Sequence, residues 1–286
     1  MGAIFGPSGC GDEFYNAGHK SILEVPKFIK DYGLDAYEYS FGHGYQMSTS
    51  LAEKAGQLFK EEGIKLSIHA PFYINFANPD EIMYQKSQNY LRTGIKFLRA
   101  FGADHLVFHA ASCGKQTRED AVALTRERLK ETMEQFEEEG LLDGIFLCPE
   151  TMGKTMQIGT YEEVVDLCTL NSHLVPTFDF GHINALGQGS LKTKEDFEKV
   201  IDYSIEKLGL EKTNNSHVHF SKIQYGDKGE IRHLNFDDEI YGPNFQPFAE
   251  VLIEKGLSMR IICESMSDMP KDALTMKKIY QNMKKN

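Results

Sequence analysis

Six successive apolar segments of this 286-residue chain each deliver a metal-ligand residue type at or near their C-terminal end. "IKLSIH" closes in His69, "DHLVFH" in His109, "GIFLCPE" in Glu150, "LVPTFD" in Asp179 and "RIICE" in Glu264, while "SHVHFS" carries His217. One histidine at such a position is ordinarily a hydrogen-bonded surface or core residue. Six consecutive segments doing the same thing point instead to a shared site, against the plainer alternative of a salt-bridged polar layer. Imidazole mixed with carboxylate suits Zn²⁺, Mn²⁺ or Fe²⁺, whereas Mg²⁺ and Ca²⁺ favour all-oxygen shells. His182, three residues after Asp179, with His219 and His233 raises the count beyond what one tetrahedral ion uses. Two or three ions are therefore expected, with carboxylates such as Glu150 as bridges. Ions held ~3.5 to 4 Å apart clamp both the attacking and the leaving oxygen of a phosphoryl displacement, which is the chemistry of phosphodiester hydrolysis.

Such a convergence needs strands that all end on one level. Two further short apolar runs, "AIFG" (3–6) and "DAYEYS" (35–40), bring the number of expected strands to eight. Helical patterns lie between them, for example 80–101, with Leu91, Ile95 and Leu98 at i, i+4 and i+7, and the Glu-, Arg- and Leu-rich stretch 117–139. Thr160 with Glu163 reads as a capping box, and Thr117 with Asp120 and Thr193 with Asp196 as looser versions. Glycines such as Gly33, Gly63 and Gly102 fall where helices should stop. Strand then helix, repeated eight times with strands too apolar to be half-exposed, is the pattern of an α/β (β/α)8 TIM barrel. A single domain over residues 1–286 is the simplest reading, with a doubly wound open sheet as the alternative. Barrel strands converge at their C-terminal ends, which is where the ligand types fall.

No GxGxxG follows the first strand and no GxxxxGK[ST] occurs, so dinucleotide and P-loop readings have no support. Five scattered cysteines without a CxxC pair fit a reducing compartment, and no apolar run approaches a membrane span. A soluble, cytoplasmic protein is expected. The formal charge of −11 disfavours a broad basic nucleic-acid surface, although bound divalent cations would invert the sign locally.

From about residue 64 onward the chain resembles the endonuclease IV group of metal-dependent apurinic/apyrimidinic endonucleases. The resemblance is carried by "HAPFYINFANPD", "PETMGKTMQIGT", "FDFGHINALGQG", "HVHFSK" and "IRHLNF". It implies a three-zinc site: His69, His109 and Glu150 around one ion, Glu150, Asp179, His217 and Glu264 around a second, His182 and His233 in part around a third. It further implies Glu150 and Glu264 as catalytic residues, and hydrolysis of DNA 5′ to an abasic site by metal-activated hydroxide. Phe72 and Tyr73, with Asn75 in the same segment, would contact the substrate, the two aromatics entering the stack beside an extruded abasic nucleotide.

The chain departs from that family's pattern in places. An acid expected two residues before His233 is Ile231, so a third ion lacks a ligand unless Asp227 or Glu230 swings in. Period-two alternation puts His217 and His219 on one strand face, so either could ligate, and motif position favours His217. The segment after Asp35 lacks a basic residue that the family uses near the lesion. A sugar isomerase or epimerase of the related xylose isomerase-like barrel class is therefore the alternative, with one ion on Glu150, Asp179, His217 and Glu264 and a small sugar as substrate. A metal-stabilised binding protein is a third reading.

Overall fold

The computed structural model describes residues 2–285, and all eight expected segments are strands. In chain order they are β1 (Ile4–Pro7), β2 (Ala36–Ser40), β3 (Lys65–His69), β4 (His105–Phe108), β5 (Phe146–Pro149), β6 (Thr177–Asp179), β7 (His217–Phe220) and β8 (Arg260–Cys263). Every neighbouring pair is parallel. β2, β3, β4 and β5 form one run and β6, β7, β8 and β1 another. Parallel bridges at Glu150–Thr177 and Ser8–Glu38 join the two runs into a closed ring. The open-sheet alternative is thereby excluded.

Local chemistry explains the crossovers. Helices Glu81–Phe101 and Arg118–Glu138 cover the two longest predicted patterns, and the side chains of Asp80 and Thr117 accept backbone N–H groups at their starts. The Thr160–Glu163 capping box is formed in full. Gly102 ends its helix in the left-handed region, at φ 65°, as a residue without Cβ does at least cost.

Alternation along the strands separates two environments. Ile68, Leu106, Leu147, Phe178, Val218 and Phe220 belong to the main apolar core together with residues of the surrounding helices. The positions between them, Ser67, His69, His217 and His219 included, are buried as well. They form the other face, the barrel lumen. Its upper part is consequently polar.

Three mouth segments lie outside the eight expected strands. Ala111–Ser112, after β4, pairs with Gln157–Ile158, after β5. A hairpin of Lys222–Gly226 and Gly229–Leu234 follows β7, and its tip meets the β5 loop through a Lys154–Gly229 bridge and a Glu230 N–H donated to the Gly153 carbonyl at 2.8 Å. This contact requires a glycine. Gly229 has φ 91°, and a Cβ there would lie 2.0 Å from the Gly153 oxygen. Gly229→Ala is expected to cost about 3 kcal/mol from strain and clash and to lower the melting temperature by roughly 6 to 10 °C. A calorimetric scan of the metal-free protein checks this, and an unchanged melting temperature would contradict it.

Candidate metal centre

His69, His109, Glu150 and Asp179, four of the ligand types identified in the sequence, stand at or one residue beyond the C-terminal end of a strand. His69 is the last residue of β3, with Pro71 two residues on to stop the strand. His109 and Glu150 stand one residue beyond β4 and β5. Asp179 both ends β6 and caps the following helix, Phe180–Leu186, its Oδ1 accepting the His182 N–H at 2.7 Å. That turn brings His182 back over the mouth. The helix has no room for a side chain at Gly181, where a Cβ would lie 2.8 Å from the Ser221 oxygen.

At the mouth the side chains gather into three sets whose donor atoms lie within reach of a common ion: His69, His109 and Glu150; Glu150, Asp179, His219 and Glu264; and His182, Glu230 and His233; a fourth such set among the described residues, Glu38, His217 and His219, lies deeper in the barrel. Glu150 belongs to two. Its Oε2 lies 2.9 Å from His69 Nε2 and 3.1 Å from His109 Nε2, and its Oε1 lies 3.0 Å from His219 Nδ1. In the third set, His182 Nε2 is 3.5 Å and His233 Nε2 is 3.9 Å from the Glu230 carboxylate.

One sequence expectation changes here, and one open alternative is decided. His219, not His217, reaches the mouth set. Both face the lumen, but His219 pairs in register with Asp179 whereas His217 pairs with Thr177, one layer deeper. His217 is fully buried against Glu38 instead, with Nε2 2.8 Å from its Oε2. Second, Glu230 supplies the acid that Ile231 lacks. A β-bulge does this: Gln224 pairs with Arg232 and Tyr225 with Glu230, leaving Ile231 as the extra residue. An unbulged strand would turn residues 230 and 233 to opposite faces. The bulge restores them to one face and leaves Ile231 57 % exposed.

The ring orientations fit cation binding. His69 Nδ1 donates to the Ala70 carbonyl at 2.8 Å and His182 Nδ1 to the Thr151 carbonyl at 3.0 Å, so each leaves Nε2 for the site. His233 Nδ1 is similarly engaged by Ser221 Oγ at 2.9 Å. Asp179 Oδ2 is buried without a hydrogen-bond partner. An orphaned carboxylate oxygen beside three other donors is costly unless a cation completes it. The donor set therefore suits divalent transition metals.

Without such ions the charges compensate one another. Burial acts to lower His69 and His182, but Glu150 beside His69, and Asp179 with Glu150 beside His182, outweigh it and raise them to about 9 and about 10. Burial likewise acts to raise Glu150, yet the surrounding imidazoles hold it well below the usual carboxylate range. Burial pushes Asp179 up. A raised histidine contributes stability fully below its ordinary value of 6.5 and loses it as pH passes its folded value; a lowered carboxylate loses its contribution as pH falls. The metal-free protein is thus expected to lose stability progressively as pH rises from about 6.5 toward about 10. Melting curves in chelator across pH 5 to 10 measure this, and a rise above pH 8 would refute it.

Glu264, 19 % exposed at the side chain, reaches His219 Nδ1 at 3.4 Å. Of the three expected substrate contacts, Phe72 lines the mouth cavity of about 250 Å³, together with His69, His109, Glu150 and Lys154. Phe72 and Tyr73 are 48 % and 45 % exposed, with ring centroids 4.6 Å apart, and Phe72 meets His43 edge-on. Asn75 is committed elsewhere. Its Oδ1 accepts the Ala77 and Ser112 N–H groups and its amide donates to Ser112 Oγ, fixing the β3 and β4 loops to each other.

Residues 26–283 match the family model described as xylose isomerase-like TIM barrel. The chain belongs to that family. Within this xylose isomerase-like family, it is 32 % identical over 260 residues to an uncharacterized protein of Methanocaldococcus jannaschii, covering 89 % of this chain and 90 % of that one. It is 28 % identical over 197 residues to a probable endonuclease 4 of Acholeplasma laidlawii, covering 66 % and 64 %. Among solved structures, endonuclease IV from Thermus thermophilus superposes with a TM-score of 0.67 at 17 % identity, covering 97 % of each chain. A D-tagatose 3-epimerase-like protein superposes with 0.70 at 21 %, covering 93 % and 95 %. These two likenesses establish the barrel and leave the substrate open. Among the described residues no helix is long and apolar enough to cross a membrane.

Proposed function

We propose that the protein is an endonuclease IV-like phosphodiesterase that hydrolyses DNA 5′ to abasic sites with two or three zinc ions, Mn²⁺ or Fe²⁺ serving as substitutes. The observation that carries the reading is the third ligand set, His182, Glu230 and His233, standing beside two sets that share Glu150. An isomerase working with one ion has no use for it. Bound ions would supply Lewis-acid stabilisation of the phosphate and an activated water. The chain's own residues do the rest. Glu150 ties two ligand sets and fixes their spacing, Glu264 closes the second set on the solvent side, and Phe72 and Tyr73 offer apolar faces where an unstacked nucleotide would leave a gap.

The alternative is an epimerase or isomerase. It is favoured by one feature, the complete quartet of Glu150, Asp179, His219 and Glu264, whose carboxylates could move a proton on a bound sugar. The deciding experiment offers the zinc-loaded protein an abasic-site duplex and a panel of ketoses in parallel. Strand cleavage at the lesion is expected. Sugar turnover without cleavage would reverse the assignment, and metal analysis finding one ion or none would remove its basis.

A further inference from the structure

We propose that Glu38 is a positioning residue for His219, turning its Nε2 hydrogen down the barrel and its Nδ1 lone pair toward Glu150, Asp179 and Glu264. The proposal rests on the metal-centre reading above. Glu38 sits in the middle of β2 with no exposed surface, and nothing in the proposed chemistry uses it. An acid there is otherwise a liability, because a buried carboxylate must be surrounded by donors.

Its surroundings answer that demand. Oε1 lies 3.0 Å from His219 Nε2 and 3.3 Å from Ser8 Oγ; Oε2 lies 2.8 Å from His217 Nε2 and 3.1 Å from Ser67 Oγ. The two serine hydroxyls donate to the carboxylate, and the two imidazole nitrogens stand against its remaining edges. The two rings approach off the N–H line, so the hold is by charge and position more than by aligned hydrogen bonds. Ser8 and Ser67 fix the carboxylate from either side, which makes it a firm reference point.

His219 needs such a partner more than the other ligands do. His69 and His182 are oriented by neighbouring backbone carbonyls at Nδ1 and present Nε2. His219 is reversed: it presents Nδ1, 3.0 Å from Glu150, so the nitrogen that must keep a hydrogen is Nε2. The group facing that nitrogen is Glu38. A ligating imidazole whose other nitrogen faces a carboxylate is fixed in tautomer and raised in basicity.

The test uses the full chain loaded with Zn²⁺. Nitrogen-15 spectra of the imidazoles report which nitrogen of His219 bears hydrogen, and chelator competition reports zinc affinity. His219 is expected to be protonated on Nε2 in wild type and in Glu38→Gln, whose amide oxygen still faces the ring, with zinc affinity nearer to wild type than that of Glu38→Leu. In Glu38→Leu one zinc should be bound about 10- to 100-fold more weakly. A zinc-loaded wild type protonated on Nδ1 overturns the proposal, and this spectrum needs no variant to fold. Glu38→Leu with unchanged zinc affinity also overturns it, as does Glu38→Gln losing a whole zinc equivalent, which would make Glu38 a ligand itself. A wild type that binds no zinc refutes the metal centre instead, so the two failures are distinguishable.

Discussion

Replacing Glu150 with glutamine is expected to remove at least one equivalent of bound metal and to slow cleavage of an abasic-site duplex by about a thousandfold or more, the equivalent of several kcal/mol of transition-state stabilisation. The expectation follows from Glu150 being shared between two ligand sets. Glutamine keeps the shape and one good oxygen but loses the charge that both sets require. In the metal-free protein the same change leaves raised imidazoles facing a neutral amide in a fully buried place, and a broken buried pair costs about 3 to 5 kcal/mol. Glu264→Gln separates function from folding, because Glu264 is partly exposed and its loss touches only the second set. Metal analysis and single-turnover cleavage on both variants measure the effects. Glu150→Gln retaining all its metal and full rate would end the shared-carboxylate account.

Replacing Glu230 with alanine is expected to empty the third set while leaving the other two filled, because Glu230 belongs to that set alone. Loss of a ligand from a three-ligand set should weaken that ion by about a hundredfold or more, judged against the 10- to 100-fold cost of losing even an outer-shell partner. Deleting Ile231 should leave the set intact, because without the extra residue the strand resumes regular alternation with Glu230 and His233 two apart and on one face. Ile231→Asp is the informative control. The family-like acid placed at 231 would project to solvent, as Ile231 does, and should leave the metal count unchanged. A fall in metal content for Ile231→Asp, with none for Glu230→Ala, would show that Glu230 is not the ligand of the third set.

Much of this architecture is legible in the sequence because it depends on composition and period. Eight apolar runs separated by capped helical patterns are eight strands in the expected order, and five of six strand-end ligand types meet at the mouth. What the sequence withholds concerns depth and parity. Period-two alternation puts His217 and His219 on one face but does not say which is level with Asp179; pairing with β6 decides that. A bulge is likewise invisible to a count of residues, so Ile231 looks like a missing acid while Glu230 beside it takes the place. Asn75 is suggested by its segment alone, where only the tertiary contact with Ser112 reveals its use. Glu38 carries a signal of its own that the strand-end pattern passes over: an acid inside an apolar strand, a placement that burial permits only with partners.

The mouth loops after β4, β5 and β7 are stitched together by backbone hydrogen bonds: Cys113 N–H to the Met156 carbonyl, Thr155 N–H to Lys228, and Glu230 N–H to Gly153. These ties run along one arc of the barrel's circumference, whereas Phe72 and Tyr73 rise from the β3 loop on the other side of β4. The β3 loop is joined to the β4 loop in turn by Asn75 and by the Phe76 N–H donated to the Ala110 carbonyl, so the two aromatics stand at one end of the stitched arc. The polymeric substrate proposed above would be laid over that end of the arc, with the two aromatics beneath it. Amide exchange should register the asymmetry, slow in the stitched arc and unaffected there by substrate, with protection gained on binding confined to the segment around Phe72.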